Sequence, residues 1–339
     1  MNLPDYNFLS APLWLITVLH ILTLTLHLAA MNFVLGGGLV LLLAKFNNKW
    51  QDESIQRFVK LFPTLMAATI TIGVAPLLFV QLTFHKQVYA STIVTAWPWL
   101  VILAAVMFSY YFLYGASFTK SRERVGIYLG LAMLGMAYVS FVYSSSFSLS
   151  ENPLLTQQLY SGNQSGFVLN PEVGSYLVRW FHMILGAITV GAFFVGWIGR
   201  KSQAMYQIGK KFFLCGMLAA MVMGLIYLFT LGDYLVPFMQ SSGIWLVTVG
   251  FILSLGSLHF FFKRKFAISG LMVFVSMLAM VSARHVLRLV HLQKFWDPAN
   301  IPIRSQWSVL IVFVLCFVLA LGLIWYMLKL FFSDSQQPA

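Results

Sequence analysis

Apolar runs of about 20 residues, long enough to cross a bilayer as helices, recur nine times along this 339-residue chain. They lie at roughly 12–44, 60–84, 94–118, 125–148, 175–199, 210–232, 242–262, 267–292 and 306–332. Runs of this length cross as helices, whereas a membrane strand needs only about 9–11 residues. The chain is 60% hydrophobic and 9% charged, which excludes a soluble fold and leaves little sequence for a soluble domain. The expected architecture is therefore all-α and polytopic, with about nine transmembrane helices. A first four-helix bundle is expected over 1–149, an outer-side loop over 150–173, and a second group of five helices over 174–339. That loop carries GNQSGF and NPEVG, both turn-forming, and reads as one surface connection.

A net charge of +12 could suit nucleic acid, but its placement points elsewhere. Lys45, Lys49, Arg57, Lys60, Lys120, Arg122, Arg124, Arg200, Lys201, Lys210, Lys211, Lys263, Arg264, Lys265 and Lys329 all fall on alternate connections. By the positive-inside rule those connections face the cytoplasm, which puts the N-terminus outside and the C-terminus inside. The basic surplus sets topology and attracts anionic lipid; no nucleic-acid partner is expected. The start, MNLPDYNFLSAPLW, has no basic n-region and no small-residue cleavage site, so no removable signal peptide is expected. Cys215 and Cys316 lie in apolar runs and no C-x-x-C-H occurs, so no covalent c-type haem is expected on this chain.

Histidine placement carries the functional signal. In WLITVLHILTLTLHLAAMNFVLGGG, His20 and His27 stand seven residues apart in the first run. His85 closes the second, His182 lies two turns into the fifth, and His285 and His291 close the eighth. With this topology six of the seven histidines gather in the outer half, on four helices, and only His259 is cytoplasmic. Taken singly, an intramembrane His is as readily a helix–helix hydrogen-bonding residue as a ligand. His85, His259 and His291 read equally well as solvated interfacial residues. Six on one side is harder to dismiss, because polar groups at depth are costly and usually functional.

All nine acids fall in loops, at helix ends or near the termini. A proton-driven transporter usually keeps an embedded carboxylate, and hard cations want carboxylate oxygens. Imidazole without carboxylate suits haem iron or copper. Positions seven apart differ by about 20° around a helix, so His20 and His27 project from one face roughly 10 Å apart. They could serve two centres, or one could bond a propionate or a quinol. Beside His182, Gly186 and Gly191 either make room for a porphyrin plane or permit tight helix packing. Arg179, Arg284 and Arg288 each lie within a turn of a histidine and suit either propionate binding or interfacial anchoring.

These residues resemble subunit I of the cytochrome bd quinol oxidases. The carrying stretches are LHILTLTL with His20, KLFPTLMAATITIGVAPLLFVQLTFHKQVYAS, VRWFHMILGAITVGAFFVGW with His182, and ARHVLR with His285 and Arg288. The resemblance implies nine helices with the N-terminus outside, a low-spin haem b on His182, and Met239 near the place of its second axial ligand. It also places His285 where that family has an acidic haem ligand. The family's third-helix glutamates have no counterpart in WPWLVILAAVMFSYYFLYG, and only GDYLVPFMQSSG remains of its long quinol loop. Losing those acids argues against oxygen reduction, and replacing acid by His argues for electron-carrying haem.

The expected function is thus a haem b-binding subunit of a respiratory complex in a bacterial cytoplasmic membrane, with more than one haem. Iron would be held by His20, His182 and His285, with His27, Arg179, Arg284, Arg288 and Met239 around the cofactors. Its expected partners are lipid-soluble quinol or quinone, a separate periplasmic c-type cytochrome subunit, and membrane lipid. The alternatives are a bd-type terminal oxidase and a non-haem transporter or copper-handling protein.

Overall fold

The computed structural model describes residues 8–46 and 53–334. Asp5, Lys49 and Asp52, and residues 1–7 of the stretch read for a signal peptide, lie outside them. The elements are α1 (Leu13–Phe46), α2 (Glu53–Val59), α3 (Phe62–Thr83), α4 (His85–Val94), α5 (Ala96–Phe118), α6 (Arg122–Ser150) and α7 (Pro153–Gly162). They continue with α8 (Val173–Ile198), α9 (Gln203–Phe229), α10 (Leu235–Gln240), α11 (Ser242–Phe262), α12 (Phe266–Leu292) and α13 (Trp307–Asp334). Among the described residues nine helical segments are long and apolar enough to cross a membrane, and no strand forms beyond one isolated bridge between Leu9 and Ile303. The chain is a multi-pass all-α membrane protein, as its apolar runs require.

Helix starts follow local chemistry. Ser121, Ser202 and Ser241 lie just before α6, α9 and α11, and their hydroxyls accept from the N–H groups of Arg124, Met205 and Gly243. Such caps satisfy amides that have no intrahelical partner. The 150–173 segment is more ordered than a surface loop. Asn152 caps α7 by accepting from Leu155 N–H at 3.2 Å, and Pro153 occupies the first helical position, where its missing N–H costs nothing. The second expected span also continues differently: α3 ends at Thr83, and His85 opens α4.

Residues Thr17–Asp297 form one compact unit, and the described parts of Asp5–Ile16 and Pro298–Ala339 form another. In the second unit Leu9 pairs with the segment before α13, its N–H donating to Pro302 O at 2.7 Å and its carbonyl accepting from Arg304 N–H at 2.8 Å.

In the first unit α5/α6, α8/α9 and α11/α12 pack as consecutive antiparallel hairpins. Its core is aromatic: Phe33 stacks on Phe58 at 4.9 Å and meets Phe194 at 4.7 Å. The helices α1 and α8 touch backbone to backbone. A Cβ placed on Gly191 would lie 2.2 Å from the Gly36 carbonyl carbon, and one on Gly36 would overlap the Ala187 carbonyl. Without a hydrophobic force between helices in lipid, close approach of small residues is what drives their association. Gly191→Leu should therefore force the helices apart and cost at least the roughly 1–3 kcal/mol typical of overpacking. A lowered thermal midpoint of the purified protein checks this, and an unchanged midpoint would show that the contact is dispensable.

Candidate functional site

Three membrane histidines are held by one device. His20 Nδ1 lies 3.1 Å from Pro76 O, His27 Nδ1 lies 3.0 Å from Thr69 O, and His182 Nδ1 lies 2.9 Å from Ala220 O. A backbone carbonyl can only accept, so each Nδ1 carries the proton. The ring is then the neutral tautomer whose Nε2 keeps its lone pair, the form in which imidazole binds a metal. His20 and His27 both face α3, and the seven-residue step on α1 is matched by seven residues from Thr69 to Pro76. Pro76 stands inside α3, where it removes one rung of the helix ladder.

Each half-buried ring rests on a glycine. A Cβ on Gly73 would meet the His27 ring at 2.7 Å, and one on Gly224 would meet the His182 ring at 2.9 Å. The two glycines of the His182 run differ in their surroundings. Gly186 has open space beside it, whereas Gly191 packs on α1.

At the end of the unit that the charge pattern assigns to the outside, His20 and His285 come together from α1 and α12. Their ring centroids are 6.1 Å apart. Phe84 lies edge-on to His285 at 6.1 Å, and the Arg288 guanidinium sits over Phe84 at 5.4 Å and over Phe147 at 5.7 Å. His285 Nδ1 is buried with no hydrogen-bond partner among the described residues. An unsatisfied buried polar atom costs about 1–3 kcal/mol.

Next to this pair lies a centre that the sequence reading missed. Glu151, a helix-end acid, is almost completely buried, and its carboxylate collects the cations of two other helices. Arg284 Nη2 donates to Oε1 at 2.5 Å and Arg288 Nε donates to the same oxygen at 3.3 Å. His291 Nδ1 donates to Oε2 at 3.0 Å, and Arg179 Nη1 stands 3.8 Å from it. Arg179 also donates to the Ser144 carbonyl. Burial alone would push the Glu151 carboxyl upward, but Arg284, His291 and Arg288 outweigh it and hold it well below the usual carboxylate range. The three arginines, read as propionate partners or surface anchors, thus share one carboxylate and leave net positive charge around it.

The signal was arithmetic. Cations on the outer side need counter-charges, and few acids stand there: Asp5, Glu151, Glu172, Asp233 and Asp297. Glu151 follows a helix end with four buried serines, Ser144, Ser145, Ser146 and Ser150, a polar stretch that lipid would not tolerate.

The remaining histidines divide. His291 is not simply solvated, since it bonds Glu151 and meets Tyr234 edge-on at 4.5 Å. His85 is buried and packs T-shaped on Trp296 at 5.2 Å, which replaces the interfacial reading. His259 is exposed at the end expected to be cytoplasmic. Met239 is 53% exposed on α10, a short helix that packs mainly on α11 and α12. Among the described residues no three His, Cys, Asp or Glu side chains converge as a bare metal cage requires. The donors come singly or as one pair, which is enough for axial ligation of haem.

Fold and site together define a polytopic helical membrane protein with outer-end imidazoles beside a buried arginine–glutamate centre. No family model and no curated protein matches the sequence. Among solved structures, the chain is similar in fold to a chain of the bd oxidase from Geobacillus thermodenitrificans. The TM-score is 0.66 at 14% identity, covering 98% of this chain and 100% of that one. The expected likeness to bd oxidases is thus present in the fold.

Proposed function

We propose that this chain is a haem b-binding membrane subunit of a respiratory electron-transfer complex. It passes electrons between membrane quinol or quinone and a periplasmic c-type cytochrome. The observation that carries the reading is the shared tautomer: three intramembrane histidines fixed through Nδ1, each with Nε2 left as a ligand. The residues fit haem. His182 has open space at Gly186 one turn along its helix, and His20 and His285 present two rings to each other. When bound, haem b supplies one-electron steps, which allow two-electron quinol chemistry to be divided.

The chain's own residues do the rest. Glu151 holds Arg284 and Arg288 beside the His20–His285 pair, so this end is cationic and favours anionic groups, whether a propionate or the anion left when a quinol gives up a proton. His291, bonded to Glu151 and in contact with Tyr234, stands where a proton would leave toward the outer face.

The fold likeness to a bd oxidase favours a second reading, a terminal oxidase. Against it, α5 carries no acid along Ala96–Phe118 to bring protons to reduced oxygen. Anaerobic addition of a quinol to the purified protein should reduce its haem within a single turnover, and in air oxygen uptake should stay at background. Rapid quinol-dependent oxygen consumption would replace this reading with the oxidase.

A further inference from the structure

At the end of the first unit that the charge pattern assigns to the cytoplasm, two turns carry seven cations. Arg200, Lys201, Lys210 and Lys211 lie at the α8/α9 turn, and the run Lys263–Lys265 forms the α11/α12 turn. No Asp or Glu occurs along 199–211 or 259–265. The other connections of that side mix their cations with Asp52, Glu53 and Glu123. Orientation in the membrane is set by Lys and Arg with little weight on acids, so topology alone does not account for acids being kept out of this one pair of turns.

Packing joins the two turns into one surface. Tyr206 of α9 is buried, stacks on Phe261 at 5.7 Å and lies under the Arg264 guanidinium at 4.3 Å. Arg264 Nη2 donates to Gln203 Oε1 at 3.3 Å, and Lys210 Nζ sits over Phe262 at 4.9 Å. Among the described residues Arg264 is the one non-glycine with a left-handed backbone, at φ +57°. Its N–H donates to Phe261 O and that of Lys265 to Phe260 O, both at 2.9 Å, a helix ending in which glycine is usual. The turn thus keeps an arginine where its backbone favours no side chain. Ile198, Phe262 and Ile268, in the terminal turns of α8, α11 and α12, are exposed, so apolar surface continues from the cations into the spans. A ligand that meets both has an anionic head and acyl chains. We propose that the α8/α9 and α11/α12 turns form one binding site for an anionic phospholipid of the cytoplasmic leaflet. Arg264 and the lysines around it hold the phosphate, and the chains lie along Ile198 and Phe262. A lipid with two phosphates, able to reach both turns, is preferred. General attraction of basic segments to lipid is shared by every cytoplasmic connection, whereas this site needs the two turns together.

Native mass spectrometry of the full-length purified protein, titrated in detergent with cardiolipin, phosphatidylglycerol or phosphatidylcholine, tests it. Cardiolipin should bind saturably and more tightly than phosphatidylglycerol, and phosphatidylcholine should bind weakly. Lys201→Gln, Lys263→Gln and Lys265→Gln together should weaken cardiolipin binding about a hundredfold. Lys120→Gln, Arg122→Gln and Arg124→Gln, which remove the same charge from the α5/α6 turn, should leave it unchanged. Gln203→Glu keeps every Lys and Arg, and with them the topology, but sets a carboxylate against Arg264. It should weaken binding about fivefold while the thermal midpoint without lipid stays at or above wild type, because an acid in the first turn of α9 is favourable. Should the first triple variant insert wrongly, Gln203→Glu decides alone. Unchanged cardiolipin binding in Gln203→Glu would overturn the site. Equal losses in the two triple variants would reduce it to general charge attraction, and displacement of cardiolipin by inorganic phosphate at equal concentration would make it a free-anion site; either result overturns the proposal.

Discussion

Glu151→Ala should be the most destabilising single substitution outside the helix crossings. The carboxylate is buried and meets Arg284, Arg288, Arg179 and His291. Removing it leaves three guanidiniums facing one another with no counter-charge, and breaking a buried ion pair from one side costs about 3–5 kcal/mol. Thermal unfolding of the detergent-solubilised protein should show a fall of many degrees. Glu151→Asp, which keeps the charge, should recover part of it. The same contact predicts a pH dependence. The folded carboxyl is held below its unfolded value, which is about 4.3. Its contribution is therefore fully present above that unfolded value and is lost as pH falls through the folded one. Stability should drop below about pH 4 in wild type and be flatter there in Glu151→Ala. A midpoint that ignores both substitution and pH would show that the cluster contributes little.

Arg288→Leu should lower the midpoint potential of the haem at the His20–His285 pair. The guanidinium lies in electrostatic reach of both rings, above Phe84 and Phe147. Losing a nearby cation favours the oxidised, more positive iron, so the potential falls. For one electron about 59 mV corresponds to roughly 1.4 kcal/mol, and a shift of that order is expected for a buried contact. The fold should survive, because Glu151 keeps Arg284 and Arg179. His285→Ala should instead lose that haem. Redox titration of both variants is the check. An unmoved potential in the first and intact haem in the second would make this helix end a structural clamp only.

The spans were legible in the sequence because membrane hydropathy is a one-dimensional signal. Helix α1 had to be apolar over more than a bilayer width, and it is. The same-face placement of His20 and His27 was legible too, since a seven-residue step returns to nearly the same direction. The Glu151 centre was not, because it joins a helix end to side chains 28 residues away at Arg179 and 133 away at Arg284. A residue at the end of a span reads as interfacial until packing closes over it. His85 failed for the same reason: it reads as the last residue of a span, whereas the chain turns into α4 and Trp296 covers the ring. The glycines after His182 were half legible. Gly191 and Gly186 look alike in sequence, and only helix placement separates a crossing point from open space. Asn152-Pro153, a cap followed by proline, could have revealed α7 within the presumed loop.

Haem content tests the proposed cofactor. A reduced-minus-oxidised spectrum of the full-length protein, purified from haem-replete cells and converted to the pyridine haemochrome, should show extractable b-type haem, since the sequence has no C-x-x-C-H. His182 and the His20–His285 pair, on different helices, predict more than one equivalent per chain. A protein that is correctly inserted and monodisperse, yet shows no Soret band, would contradict haem binding and leave His20, His27 and His182 as helix-joining residues.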